Sequence, residues 1–381
     1  MQQVAVIRPR CGNRAGGAER YCMMLVSGLI DAGMEVIFIG NHIDPELAGE
    51  VRFIELSRPR GPSGFRNYAF HQEVQRALAR FPRAVSYSLS RTYPVDIYRV
   101  TDPLHLYHLY LNYRSPFKRL WARLSLRHRL LLSLERELLK TEGGCRAIVA
   151  ISRLDARLLR ELYGIGDERI HVIYNGVDLE LFSPGSTEDS TAVRRSLGIG
   201  TQETIYLFAG MDFRRKGLET AIRSMAGLNH PCRLLVAGSG KERGYRSLAA
   251  SLGVADKVLF LGRVADMPPL YRAADILVLP TTYDPFGNVH LEALACGLPV
   301  ITTKQAGGAE VVSHGRTGYI MQDAGSPEEL SGLLKEFEAC REQWPIWRRL
   351  ARQSVKDFTL EGNIQRNLEL ISEVAERKAV T

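Results

Sequence analysis

The sequence contains no run of about eighteen uncharged apolar residues, the length a helix needs to cross a bilayer. Its opening, MQQVAVIRPRCG, has an apolar stretch too short for a signal peptide and is closed by arginines, so a cytoplasmic protein is expected. Cysteine is sparse. Cys11, Cys22, Cys145, Cys232, Cys296 and Cys340 lie scattered, with no CxxC pair and no histidine at zinc spacing. That pattern excludes a disulfide framework or structural zinc and suits free thiols in a reducing compartment. The dinucleotide fingerprint is missing as well. The glycines after the first apolar run are not GxGxxG, and no acid ends the next run, EVIFIG, which disfavours a nicotinamide-dependent oxidoreductase. Low-complexity tracts and solenoid-period repeats are absent.

What is present is an ordinary globular composition, 45% hydrophobic and 24% charged, over 381 residues. Single cores stop growing at roughly 250 residues, so two domains are expected. The net charge of +8 is unevenly placed: residues 1–170 hold 26 Lys and Arg against 17 Asp and Glu, and the remainder holds 24 against 25. The whole excess belongs to the first half. It points to an anionic surface or partner met there: membrane lipid, a phosphorylated acceptor or nucleic acid.

Short β-branched runs alternate with longer amphipathic stretches, the pattern of α/β domains with parallel sheets. The first half offers VAVIRP, EVIFIG, VRFIEL, AVSYSL, DIYRV, AIVAIS and HVIYN, and the second TIYLFAG, CRLLVAG, KVLFLG, DILVLP, PVITT and GYIM. Between them, FSPGSTEDSTAVRRSLGIGTQE reads as a linker and a short helix. The expected division is residues 1–184 and 185–359, with a last helix at 360–381 returning to the first domain. Two doubly wound domains in series imply a ligand in the cleft at the carboxyl ends of their strands.

Three loops have chemistry suited to that position. Gly16 and Gly17 open an amphipathic helix after the first strand, where free N–H groups can meet an anion; the same glycines also suit a tight turn. Arg214, Arg215, Lys216 and Gly217 follow TIYLFAG. Cations at a sheet's carboxyl edge neutralise a departing diphosphate, unless the loop is simply solvated. The third loop, TTYDPFGNVHLEALACGLPV, places the amides of Gly287, Asn288 and Val289 at a helix N-terminus, between Asp284 and Glu292. A carboxylate at Glu292 can accept two ribose hydroxyls, and Asp284 can reach sugar hydroxyls or complement the helix dipole.

Taken together these residues resemble the retaining glycosyltransferases of family 4, which have the GT-B fold. The likeness runs through AGGAER, HVIYNGVDLELFSP, FRRKG, VLFLGRV, YRAADILVLP, LEALACGLPVITT, GGAEVV and GRTGYI. Within the family it is similar to the lipopolysaccharide core glucosyltransferase type. The resemblance implies two Rossmann-like domains facing a cleft, the first binding acceptor and the second a UDP-sugar, with no metal and no other cofactor. It implies that Arg215 and Lys216 take the diphosphate with the turn from Phe286 through Gly287, Asn288 and Val289, that Glu292 holds the ribose, and that backbone at Arg263 and Val264 reads uracil. Asp102, in VDIYRVTD, would orient the acceptor, with His105 nearby as the alternative, and Asn175 and Gly176 would shape the hinge. Two positions depart from the pattern. Met211 stands where most relatives carry arginine, and Asp284 where they carry glutamate, one methylene longer. These departures keep a second reading open, a nucleotide-sugar binding protein without turnover.

The remaining feature is YRSPFKRLWARLSLRHRLLLSLERELLK, where Arg114, Lys118, Arg119, Arg123, Arg127, Arg129 and Arg136 alternate with Leu, Phe and Trp121. It reads either as a helix lying on anionic lipid or as a domain helix with a solvated face. A lipid-linked glycan acceptor on the inner face of the cytoplasmic membrane favours the first. Nothing resembles a nucleic-acid module.

Overall fold

The computed structural model describes residues 2–12, 17–58, 60–113, 115–140 and 142–380, without the side chain of Val380. Its contacts divide the chain into two units, residues 1–174 with 360–381 and residues 175–359.

The first unit is built on seven parallel strands: β1 (Gln3–Ile7), β2 (Glu35–Gly40), β3 (Arg52–Glu55), β4 (Val85–Ser88), β5 (Val95–Arg99), β6 (Cys145–Ala150) and β7 (Ile170–Val172). Their order is β3-β2-β1-β4-β5-β6-β7, with Val4 level with Val36 on one side and Val85 on the other. Each central strand is buried on both faces, which is why it reads as a continuous apolar run rather than an alternation. Helix α1 (Gly17–Asp31) covers β1 and β2 through Cys22, Leu25, Val26 and Leu29. The C-terminal helix Leu360–Val380 lies against α1, and a Cβ at Gly28 would come within 2.7 Å of Ile364. Its asparagines tie it to the core: Tyr87 donates to Asn367 at 2.6 Å and Tyr21 to Asn363 at 3.1 Å.

After β5 come α2 (His105–Asn112), α3 (Pro116–Leu124) and α4 (Leu126–Leu139). The basic stretch is therefore two helices, not one. Ser125 adopts φ −59° and ψ 129°, breaking the helical path between them.

The second unit holds β8 (Thr204–Ala209), β9 (Cys232–Ala237), β10 (Val258–Gly262), β11 (Ile276–Leu279), β12 (Val300–Thr303) and β13 (Gly318–Met321), all parallel, in the order β10-β9-β8-β11-β12-β13. Helices α5 (Leu218–Met225), α6 (Pro268–Ala273) and α7 (Asn288–Ala295) join them. The sheet's direction of growth reverses between β8 and β11, so the loops leaving those two strands lie side by side at its carboxyl edge.

The division falls at Asn175, ahead of the expected Pro184. The reason is hydrogen bonding: Val177 N–H donates to Phe358 O, Arg352 binds the carbonyls of Leu179 and Phe182, and Arg272 binds that of Ser183. The short helix Thr187–Ser196 follows, closed by a Ser186–Asp189 capping box. Among the described residues no helix is long and apolar enough to cross a membrane.

Candidate functional site

In the second unit, the chain leaving β8 turns at Asp212, whose carbonyl accepts Lys216 N–H at 2.8 Å and whose carboxylate accepts Arg215 N–H at 3.2 Å. The turn ends at Gly217, φ +81°, where a Cβ would sit 1.9 Å from Pro280 O. Only glycine lets this loop press against the one leaving β11. The contact is sealed by Thr282 N–H and the Thr281 hydroxyl, both donating to Arg215 O at 2.9 Å.

That approach delivers Lys216 and Arg215 to Asp284. Lys216 Nζ donates to Asp284 Oδ2, and Arg215 Nη1 lies 3.3 Å from the same oxygen while donating to Tyr283 O at 2.9 Å. Lys216 and Asp284 are both buried. Burial pushes the Asp284 carboxyl up, but Lys216 and then Arg215 more than offset it and hold it at about 2. The Asp284 backbone is pinned too, its N–H on Gln305 O at 3.1 Å and its carbonyl accepting Gly307 N–H at 2.9 Å.

Gly287, φ +77°, turns the loop into α7. The first amides of a helix have no partner within it, so those of Asn288 and Val289 are free of the helix ladder. Asn288 Oδ1 accepts Asn175 Nδ2 at 2.5 Å, so Asn175, read as part of a hinge, pins the first residue of α7. Phe286 is fully buried. Farther along the helix the buried Glu292 accepts Tyr271 O–H on Oε2 at 2.7 Å. Arg263 and Val264 follow β10 at the same sheet edge, Arg263 exposed and Val264 half-buried; Met211 is exposed.

The structure thus groups Arg215, Lys216, Asp284, Gly287, Asn288, Val289 and Glu292 within two loops and one helix. Three residues that motif reading passed over complete the group: Tyr271, His290 and Thr302. His290 is fully buried, with Nδ1 2.7 Å from Gly287 O and Nε2 2.9 Å from Thr302 Oγ1. Burial foremost, then Lys216, lowers its pKa to about 4. A histidine three residues into a Gly-led helix was the available signal. Among the described residues no cluster of His, Cys, Asp or Glu forms a metal-ligand set.

In the first unit Asp102 is exposed in the loop between β5 and α2. His105, by contrast, is buried and engaged: its N–H donates to Glu135 Oε2 at 2.6 Å and its Nε2 lies 3.0 Å from His128 Nδ1. Burial and then Arg91 lower its pKa to about 3. It serves the α2–α4 contact and is not a free alternative to Asp102. Gly17 begins α1 and is exposed, and Gly16 lies outside the described residues.

Helix α3 presents Phe117, Leu120, Trp121 and Leu124 at helical spacing, with Phe117 77% and Trp121 75% exposed. Lys118, Arg123, Arg127, Arg129 and Arg136 are exposed, whereas Arg119 folds back over the Tyr110 ring at 4.3 Å. Arg114 lies outside the described residues.

A family model described as glycosyl transferases group 1 matches residues 189–354, and one described as glycosyltransferase family 4 matches residues 15–181. An uncharacterised glycosyltransferase of Methanocaldococcus jannaschii is 36% identical over 184 residues; the match spans about half of each protein, 47% of both. The lipopolysaccharide glucosyltransferase WaaG of Escherichia coli is 26% identical over 326 residues, 84% of this chain and 86% of that one. A crystal structure of WaaG superposes with TM-score 0.85 at 23% identity, covering 97% of this chain and 99% of the other. One of Anabaena HepE in complex with UDP-glucose does so with TM-score 0.75 at 20% identity, covering 98% and 100%. At those identities the two superpositions establish the fold, a pair of Rossmann-like units of the GT-B type.

Proposed function

This chain belongs to the group 1 and family 4 glycosyltransferases, and from that premise we propose that it moves a hexose, glucose foremost, from a UDP-sugar to a lipid-linked glycan such as a lipopolysaccharide core. The observation that carries the reading is the meeting of Lys216, Arg215 and the first amides of α7 at one sheet edge, with Glu292 on the same helix. Two cations and a helix N-terminus supply positive potential for a diphosphate, and Glu292, positioned by the Tyr271 hydroxyl on Oε2, is a carboxylate of the type that accepts ribose hydroxyls.

In this reading the acceptor hydroxyl oxygen bonds to the anomeric carbon on the face the diphosphate leaves. The carbon–oxygen bond to phosphate breaks, and the hydroxyl proton passes to the departing diphosphate. Configuration is retained. Lys216, Arg215 and the amides stabilise the charge that develops there, so the scheme asks for no metal. Asp102 orients the acceptor. The likeness to WaaG and the UDP-glucose bound to HepE support the choice of donor and acceptor class.

The exposed stripe of α3, flanked by Lys118 and Arg123, suits a helix lying in an anionic headgroup layer and supports the reading of a peripheral protein on the inner face of the cytoplasmic membrane. A second reading, sugar-nucleotide binding without turnover, draws on the Asp284 carboxylate occupying Lys216. A thermal-shift panel of UDP-, GDP- and ADP-sugars tests the donor: a ligand at 100 times its dissociation constant stabilises by about 2.7 kcal/mol. Selective stabilisation by UDP-glucose, with slow hydrolysis, supports transfer. Tight UDP binding with no turnover on any acceptor supports the second reading.

A further inference from the structure

His290 takes no part in the motifs above, yet it fills the space beneath the turn that carries them. A Cβ at Gly287 would lie 2.7 Å from its Nδ1, and one at Gly308 would lie 2.5 Å from its Cγ and Nδ1. Both glycines therefore leave room for this one imidazole, which stands between them.

Its hydrogen bonds have a fixed sense. A carbonyl only accepts, so the 2.7 Å contact with Gly287 O places the proton on Nδ1. The neutral ring then has a bare Nε2, which accepts the Thr302 hydroxyl at 2.9 Å in preference to that hydroxyl's other acceptor, Leu279 O at 3.2 Å. A chain of donors runs from Thr302 on β12 through the ring to Gly287 O, which also accepts His290 N–H at 2.9 Å. In a trans peptide the C=O and the following N–H point opposite ways. Holding the Gly287 carbonyl inward thus aims the Asn288 N–H outward, on the side away from the imidazole.

We propose that His290 is a positioning residue for the donor: its imidazole locks the Gly287–Asn288 peptide plane so that the first amides of α7 face the diphosphate. The proposal rests on the reading that a nucleoside diphosphate binds at this helix N-terminus. It assigns the bond to Gly287 O, made by Nδ1, as the one that matters, and Thr302 as the residue that sets the tautomer.

The two ring nitrogens can be replaced separately. In His290→Asn the side-chain amide nitrogen stands near the place of Nδ1 and restores the bond to Gly287 O. In His290→Gln it reaches the place of Nε2 and serves Thr302 alone. His290→Leu removes both. Calorimetry with UDP is expected to show His290→Leu and His290→Gln binding about tenfold to a hundredfold more weakly, the scale of one hydrogen bond to a charged group, and His290→Asn binding within about threefold of wild type. Binding by His290→Leu equal to wild type would overturn the proposal, as would His290→Asn and His290→Gln being equally weak, which marks a packing role. The Asn and Gln pair keeps the test decisive if His290→Leu does not fold. A wild type that binds no UDP would instead remove the diphosphate reading itself.

Discussion

Lys216 and Asp284 are bonded to each other across the switch point of the second sheet, both buried, with Arg215 on the same carboxylate oxygen. Asp284 is thus the counter-ion of the two cations assigned to the diphosphate. Its shorter side chain stays on Lys216, whereas a glutamate reaches one methylene farther.

Lys216→Ala is expected to lower kcat about a hundredfold, the loss seen when one preformed charge stabiliser is removed. It also leaves Asp284 buried beside Arg215 alone. Steady-state kinetics with UDP-glucose check the first effect, and full activity in the variant would refute the role.

Tyr271→Phe deletes the hydroxyl that donates to Glu292 Oε2. The buried carboxylate loses one partner at a cost of about 1–3 kcal/mol, and UDP affinity is expected to fall because a hydroxyl that helps orient Glu292 is gone. Urea denaturation and UDP titration measure the two effects.

His290 gives a pH signature in stability. Its pKa is about 4 in the folded chain, against an ordinary 6.5, so below pH 6.5 the unfolded chain takes up a proton that the folded chain refuses. Stability is lost as pH falls from 6.5 toward 4, by up to about 3 kcal/mol for a shift of this size. His105, held at about 3, adds a loss of the same sign. Denaturation of wild type and His290→Asn across this range is expected to converge as the pH falls. Parallel curves would show that His290 titrates normally.

Glu135 is fully buried and joins four groups: Arg91, the N–H groups of His105 and Leu106, and the Tyr163 hydroxyl. Glu135→Gln leaves the Arg91 guanidinium without its charge partner and is expected to cost about 3–5 kcal/mol, read by chemical denaturation.

Phe117→Ser with Trp121→Ser removes the most exposed apolar groups of α3. Cosedimentation with vesicles containing anionic lipid is expected to fall several-fold while UDP binding is unchanged. Undiminished cosedimentation would assign α3 a role other than lipid contact.

The central strands of both sheets were legible because parallel strands buried on both faces are written as β-branched runs, as in TIYLFA and EVIFIG. The loops that carry Lys216 and Asp284 were legible as loops, but not their contact, which depends on β11 pairing directly with β8. Tyr271 and Thr302 escaped because their partners, Glu292 and His290, lie on other elements and no local pattern joins them. His105 looked available because it sits three residues from Asp102; only the packing of α2 on α4 shows it turned inward onto His128. The division at Asn175 was hidden for a similar reason, since the carbonyls of Leu179 and Phe182 are claimed by Arg352, far along the chain.

The central claim is retaining transfer of a hexose from a UDP-sugar, and proton NMR of the purified protein with UDP-glucose and a lipopolysaccharide core acceptor tests it most directly. The account predicts release of UDP together with a new glycoside whose anomeric proton keeps the α configuration of the donor. A β product, or no UDP released with any lipid-linked glycan under conditions where UDP-glucose binds, would contradict it.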